Sequence, residues 1–121
     1  MQKTILVVED YKDARELLRF MLETLGYCVE EASDGSEAVK FAQLNHPDLI
    51  LMDVAMPIMD GITATRIIKE SEKTADVPII CITAHTNRYQ DEALEAGCTQ
   101  VISKPVDFNV LNLAVMPHLS A

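Results

Sequence analysis

Short apolar runs alternate with stretches of helical periodicity along the whole chain. The apolar runs are rich in Ile, Leu and Val, a composition typical of buried strands. They predict five strands, at residues 5–8, 28–32, 49–52, 77–82 and 101–102. The second run contains Glu30 and Glu31, and charged residues of this kind favour the edge of a sheet.

Apolar residues at helical spacing predict a helix after each strand. The apolar face of the first helix is formed by Ala14, Leu17, Leu18, Met21, Leu22 and Leu25. Gly26 ends this helix, and Asp34 with Glu37 forms a capping box for the second. The second helix ends near His46, whose ring is expected to contact the last carbonyl groups. Three further helices are predicted, at residues 62–70, 87–98 with Gly97 as the stop, and 107–118.

Regular alternation of strand and helix predicts one doubly wound α/β domain over residues 1–121, with five parallel strands and helices on both faces. In such a sheet the binding crevice lies beyond the carboxyl ends of the strands. The residues expected at this crevice include carboxylates, hydroxyls and an amine: Glu9, Asp10, Asp53, Thr83, Ser103, Lys104 and Pro105.

Composition narrows the function classes. The net charge of −9 would repel nucleic acid and anionic lipid, so we expect no direct contact with either. No signal peptide and no stretch of membrane-spanning length is visible, which predicts a cytoplasmic protein. The three cysteines have neither disulfide-framework nor zinc-site spacing, so we expect idle or buried thiols.

The predicted crevice combines three carboxylates with a hydroxyl and an amine. Clustered carboxylates in a partly buried site need a cation, and hard oxygen donors suit Mg²⁺. A carboxylate can also attack a phosphoryl group to form an aspartyl phosphate. Lys104 would then balance the charge of the transferred group, and Thr83 could donate a hydrogen bond to it.

Four stretches, VVEDYKDAR, LILMDVAMPIMDGITATR, PIICITAH and ISKP, resemble the receiver domain of two-component response regulators, in the same order along the chain. The resemblance covers essentially the whole chain. It implies the flavodoxin-like strand order 2-1-3-4-5. It also implies a signalling switch that promotes only its own phosphorylation and dephosphorylation, rather than an enzyme acting on other substrates.

The resemblance also implies a role for each matched residue. Asp53 would accept the phosphoryl group from a phosphohistidine on a sensor histidine kinase or histidine phosphotransfer protein. Asp10, Asp53 and the backbone carbonyl of Ala55 would bind Mg²⁺ directly, and Glu9 would act mainly through a water. Further matches are assigned by position: Thr83 as the switch hydroxyl, Lys104 as the phosphate partner, Pro105 as the residue after a cis peptide, and Met56 with Pro57 as the loop beside the acceptor.

Three positions limit how far the family pattern applies to this chain. Receivers commonly carry Tyr or Phe three residues before the lysine, where this chain has Val101, so an aromatic rotamer switch is not expected. Ala55 and His85 lie where side chains influence water attack on the aspartyl phosphate, so the phosphate lifetime stays open. His85 and His118 are expected at the surface.

Three alternative functions remain beside this interpretation. A flavin-binding flavodoxin would need a Ser/Thr/Gly-rich loop after the first strand, where this chain has EDYKDAR. A haloacid dehalogenase-type phosphatase would need a second acid two residues after its nucleophile, where this chain has Ala55. A degenerate receiver acting only as a docking scaffold is the strongest alternative, although the acceptor, the acidic pair and the lysine are all present.

The resemblance further implies two docking surfaces. The first helix would meet the phosphodonor through exposed Lys12, Arg15 and Arg19. The fourth helix, fifth strand and fifth helix would meet a downstream protein partner. The sequence ends after the fifth helix, so we expect no output domain within it.

Overall fold

The computed structural model describes residues 2–119 as five strands and five helices in strict alternation. The strands are β1 (Thr4–Val8), β2 (Cys28–Ala32), β3 (Leu49–Asp53), β4 (Ile79–Thr83) and β5 (Gln100–Ser103). The helices are α1 (Lys12–Thr24), α2 (Gly35–Asn45), α3 (Gly61–Glu70), α4 (Thr86–Ala96) and α5 (Phe108–Leu119).

All strands are parallel, and their order is β2-β1-β3-β4-β5, which confirms the predicted fold and the edge position of the second strand. Branched apolar residues dominate β3 and β4, which are buried on both faces of the sheet, as expected for central parallel strands. The polar residue predicted to follow each of these two apolar runs is the last residue of the strand. Asp53 closes β3 and Thr83 closes β4.

Alternate residues of each strand face opposite sides of the sheet and build two apolar cores. One core places Leu6, Ile50 and Ile79 against small helical residues such as Ala64 and Ala93. The second core comprises a separate set of side chains: Ile5, Val7, Leu49, Leu51, Ile80, Ile82, Leu18, Leu22 and Leu111. Helices on both faces therefore fix the sheet and leave its carboxyl edge open for a site.

Three local predictions needed correction. The fourth strand begins at Ile79 instead of residue 77, because the Val77 N–H bonds to the Thr74 carbonyl in the preceding turn. Leu17 was assigned to the apolar face of α1 but is 54% exposed. His46 ends α2 with a left-handed φ of 46°, and its ring contacts the Asp76 carboxylate at 2.9 Å instead of helix carbonyls.

Within residues 2–119, none of the helices combines the length and the apolar character that crossing a bilayer requires. Cys81 and Cys98 are buried free thiols, and Cys28 is a half-buried one.

Candidate functional site

Three carboxylates lie together at the carboxyl edge of the sheet. Glu9 and Asp10 follow β1, and Asp53 ends β3. One carboxylate oxygen from each lies within 4.8 Å of those of the other two. Glu9 and Asp53 are buried, whereas Asp10 is exposed. Hard oxygen donors at this spacing, with one side open to water, fit a Mg²⁺ ion.

The electrostatics of the cluster also favour a cation. Burial, followed by the hydrogen bond and negative charge of Glu9, raises the pKa of Asp53 to about 7. Burial opposes the ionisation of Glu9 as well, but hydrogen bonds from Lys104, Asp53 and the Tyr11 N–H hold its pKa below the ordinary value. Ionisation of both carboxyl groups is therefore opposed near neutral pH, and a divalent cation would relieve that opposition.

Lys104 brings a positive charge to the cluster from the residue after β5. Its Nζ donates to Glu9 Oε1 at 2.8 Å and lies 3.1 Å from Asp53 Oδ1. Burial works against this charge, but the Glu9 hydrogen bond and the charge of Asp53 outweigh it and raise the pKa of the lysine. Its backbone N–H bonds to the Thr83 carbonyl at 3.0 Å, and the peptide to Pro105 is cis.

Thr83 lies at the end of the strand beside Asp53. Sheet register pairs Asp53 with Ile82, so Thr83 is one position further toward the carboxyl edge. Its side chain is buried, and Oγ1 accepts a hydrogen bond from the His85 N–H at 3.0 Å. The hydroxyl is thus tied to the first turn after β4, so movement of Thr83 would move the start of α4.

The loop from β3 to α3 begins directly after Asp53. Ala55 is exposed and Met56 half-buried, beside the end of β3. The Met59 N–H bonds to the Pro57 carbonyl at 2.7 Å, and Ile58 between them has a left-handed φ of 68°. This tight three-residue turn leaves the Ile58 side chain 85% exposed.

Gly61, at the start of α3, is a residue that sequence reasoning missed. A Cβ atom added at this position would lie 2.0 Å from the Asp53 carbonyl oxygen. Its N–H bonds to the Val54 carbonyl at 2.9 Å, so the helix start is packed directly against the backbone of Asp53 and Val54. The sequence contains one signal for this position: Gly61 directly follows Asp60, and Asp60 is the N-cap residue of α3.

Val101 stands where receivers commonly carry an aromatic residue, and His85 lies two residues after Thr83. Val101 is half-buried and packs against the same core as Tyr89. Tyr89 lines a groove of about 360 Å³ with Met56 and Ala55, which brings an aromatic ring from α4 beside the loop that follows Asp53. His85 is exposed, as expected.

An apolar groove of about 390 Å³ lies between α1 and the loop after β5. Ala14, Leu17 and Met21 line one wall, and Val106 lies on the other. Glu9 and Lys104 also line it, so the groove opens onto the acidic cluster. The exposed Leu17 therefore belongs to a surface groove rather than to the core.

Charged residues of α1 are less uniformly exposed than predicted. Lys12 is exposed and lies 3.8 Å from Glu16. Arg15, however, is largely buried, with Nε 2.7 Å from Glu31 Oε1, and Arg19 also pairs with Glu31. The expectation that Arg15 is exposed is wrong, because the edge strand β2 supplies a carboxylate that binds it.

Comparison with other sequences assigns the chain to one protein family. Residues 5–116 match the family described as response regulator receiver domain. The polar-differentiation response regulator DivK of Brucella ovis is 36% identical over 107 residues, which cover 88% of this chain and 87% of DivK. Histidine kinase P4 of Formosa agariphila is 42% identical over 110 residues, which cover 90% of this chain but 8% of the kinase.

Solved structures agree with the sequence comparison. The receiver domain of sensor histidine kinase PA1611 from Pseudomonas aeruginosa, with a magnesium ion coordinated in its active site cleft, is 34% identical. It matches with a TM-score of 0.93 and full coverage of both chains. The chemotaxis response regulator CheY4 of Vibrio cholerae is 29% identical, with a TM-score of 0.91 over 98% of this chain and 100% of CheY4. The protein therefore belongs to the response regulator receiver domain family of two-component signalling.

Proposed function

We propose that this chain is a phosphorylatable receiver that takes a phosphoryl group from a phosphohistidine onto Asp53. The observation that carries the proposal is the contact of Lys104 Nζ with both Glu9 and Asp53, within a cluster of three carboxylates. This arrangement combines a nucleophile, a counter-charge and a set of hard oxygen donors. The chain would act as a switch and would turn over only its own phosphoryl group.

Phosphoryl transfer would begin with attack of a carboxylate oxygen of Asp53 on phosphorus. A new O–P bond forms as the P–N bond of the phosphohistidine breaks, and the electron pair of that bond remains on the imidazole nitrogen. Asp53 must be ionised to attack, and its pKa of about 7 leaves a large protonated fraction at neutral pH. Lys104 favours the ionised form, which is the form that reacts.

Mg²⁺, when bound, would supply positive charge opposite the phosphoryl oxygens. We assign Asp10, Asp53 and the backbone carbonyl of Ala55 as direct ligands, and Glu9 as a ligand acting mainly through water. The magnesium ion reported in the cleft of the PA1611 receiver supports this assignment by analogy. The raised pKa of Asp53 beside Glu9 also supports it, because a cation would relieve the repulsion between the two carboxylates.

The switch would use Thr83 and Lys104 as new partners of the phosphoryl group. Reversal of a 1:99 equilibrium needs about 5.5 kcal/mol of differential binding. Hydrogen bonds to charged groups contribute about 1.5 to 3 kcal/mol each, so two such contacts approach that figure. Because Thr83 Oγ1 bonds to the His85 N–H, its movement would be transmitted to α4.

The phosphodonor would dock along the groove beside α1. This groove is lined by apolar side chains and opens at Glu9 and Lys104, so a helix seated in it would present a histidine to Asp53. We propose a sensor histidine kinase or a histidine phosphotransfer protein as the donor, and a protein partner for the output. The free thiols fit a reducing compartment, which supports a cytoplasmic location.

Intact mass spectrometry after incubation with Mg²⁺ and acetyl phosphate tests the proposal. We expect an adduct of one phosphoryl group on the wild type, and none on Asp53→Asn or in a metal-free sample. Asp91→Asn, an exposed position on α4, is the matched control and should keep the adduct. A folded wild type that forms no adduct with any donor would overturn the proposal and favour a docking scaffold.

A further inference from the structure

The backbone of Glu9 is fixed on both sides of the residue. Its N–H donates to the Ala32 carbonyl on β2 at 3.1 Å. Its carbonyl accepts a hydrogen bond from Arg15 Nη1 at 2.9 Å. The hydrogen bond from Arg15 thus connects α1 to the peptide that joins Glu9 to Asp10. It therefore holds the backbone between these two acidic residues.

Arg15 is itself held in one orientation. Its Nε lies 2.7 Å from Glu31 Oε1, and 17% of its side chain is exposed. Hydrogen bonds from Arg15, and then from Arg19, lower the pKa of Glu31, which is therefore ionised at neutral pH. The planar guanidinium thus links Glu31 on the edge strand to the Glu9 carbonyl through two N–H groups at a fixed angle.

A fixed Glu9 carbonyl also fixes the direction in which Asp10 leaves β1. The peptide bond is planar, so holding its carbonyl oxygen sets the plane that contains the nitrogen and Cα of Asp10. Asp10 is the exposed member of the acidic cluster and gains little from packing. The orientation of the Asp10 side chain therefore depends strongly on this peptide. The Glu9 side chain depends on it less, because burial also holds that side chain in place.

We propose that Arg15, locked by Glu31, is a positioning residue that orients the Glu9–Asp10 peptide for divalent cation binding. The inference rests on the proposed function, since it concerns the same metal site. Groups that orient metal ligands typically change metal affinity by about 10- to 100-fold when removed. Arg15 would act through the backbone and would not touch the metal or the phosphoryl group.

Arg19 provides a matched control on the same helix. It also pairs with Glu31, but its remaining contacts are the Val29 carbonyl at 3.1 Å and Glu23 at 3.1 Å. Replacement of either arginine by Met removes one positive charge from α1, but only Arg15→Met releases the Glu9 carbonyl. Loss of a positive charge alone would strengthen cation binding to an acidic site, so the direction of the change separates the two effects.

Calorimetric titration with Mg²⁺, without phosphodonor, is the first test. We expect Arg15→Met to raise the dissociation constant about tenfold and Arg19→Met to leave it equal or lower. Arg15→Lys keeps the charge but cannot reproduce the two-pronged contact, so it should also bind Mg²⁺ more weakly than wild type. Thermal unfolding checks that the variants are folded.

A second readout is the Mg²⁺ dependence of adduct formation. Arg15→Met should raise the half-saturating Mg²⁺ concentration, while the rate at saturating Mg²⁺ returns close to wild type. The inference is overturned if Arg15→Met binds Mg²⁺ as well as wild type, or if Arg19→Met loses the same affinity. A wild type that binds no Mg²⁺ would instead overturn the metal site of the proposed function, so the two failures are distinguishable.

Discussion

The Nζ atom of Lys104 lies 3.1 Å from Oδ1 of Asp53, so the amine is in ion-pair contact with the proposed acceptor before any phosphoryl group arrives. This contact favours the ionised carboxylate, which is the nucleophilic form. It also places the amine where the charge of the phosphoryl group would develop. Lys104 would therefore serve both the attack and the product state.

Replacement of Lys104 by Met should slow phosphorylation. A charge-assisted hydrogen bond contributes about 1.5 to 3 kcal/mol, so we expect at least a tenfold lower initial rate at neutral pH. Mass spectrometry of early time points with acetyl phosphate measures this rate. Lys40→Met, on the exposed side of α2, is the control and should react at the wild-type rate. A Lys104→Met rate within twofold of wild type would contradict the assigned role.

The contribution of Asp53 to the stability of the metal-free protein should fall as pH rises from about 4 to 7. The pKa of Asp53 is raised from 3.8 to about 7, so the folded state binds more protons than the unfolded state across this range. Three pKa units correspond to about 4 kcal/mol, an upper bound for this one group. Glu9, whose pKa is lowered, is ionised in both states over most of this window. Urea unfolding at pH 5 and pH 8 measures the difference.

Asp53→Asn should remove most of that pH dependence and make the metal-free protein more stable than wild type at pH 8. The physical reason is that the amide carries no charge beside Glu9. Excess Mg²⁺ should stabilise the wild type at pH 8 more than it stabilises the variant. Equal slopes of stability against pH in the two proteins would show that another group titrates in this window.

Gly61→Ala should disturb the acceptor from outside the cluster. The new methyl group would meet the Asp53 carbonyl oxygen at 2.0 Å, so α3 or the end of β3 must shift. Overpacking of this kind costs about 1 to 3 kcal/mol, and we expect the phosphorylation rate to fall as well. Gly26→Ala is the control: its φ of 98° penalises alanine, but no atom lies within 4 Å of the added carbon. It should lose stability without a change in rate.

The contact between His46 and Asp76 should stabilise the fold only at lower pH. Asp76 raises the pKa of His46 above 6.5, so the stabilisation is complete below that value and is lost as pH rises through the raised pKa. We expect Asp76→Asn to lower the melting temperature more at pH 5.5 than at pH 8.5. The comparison uses the difference from wild type at each pH, which cancels the titration of Asp53. A difference that is the same at both values would exclude this pair as the cause.

Much of the fold was predictable because local signals agreed with the tertiary structure. Branched apolar runs identified the strands, and the polar residues at the ends of four of the five runs identified the site edge before any contact was known. Leu17 shows where periodicity fails. Its spacing places it on the apolar side of α1, but a helix lying on a flat sheet buries only part of that side.

The supporting contacts of the site were not predictable in the same way. Arg15 and Arg19 are four residues apart on a helix, a spacing typical of a solvated face. The contact of Arg15 with Glu31 depends on the register of β2 beside β1, and its contact with the Glu9 carbonyl depends on where α1 begins. Gly61 is similar, since only the assembled structure shows how closely α3 approaches Asp53.

The bond between Lys104 and Glu9 joins residues 95 positions apart, near opposite ends of the described chain. During synthesis, the first strand and its carboxylates leave the ribosome long before the lysine does. An unfinished chain would thus carry the acidic residues without the amine that balances them. The charge-balanced site would then be complete only after β5 has joined the sheet, so the proposed reactivity of Asp53 would reach its full value late in folding.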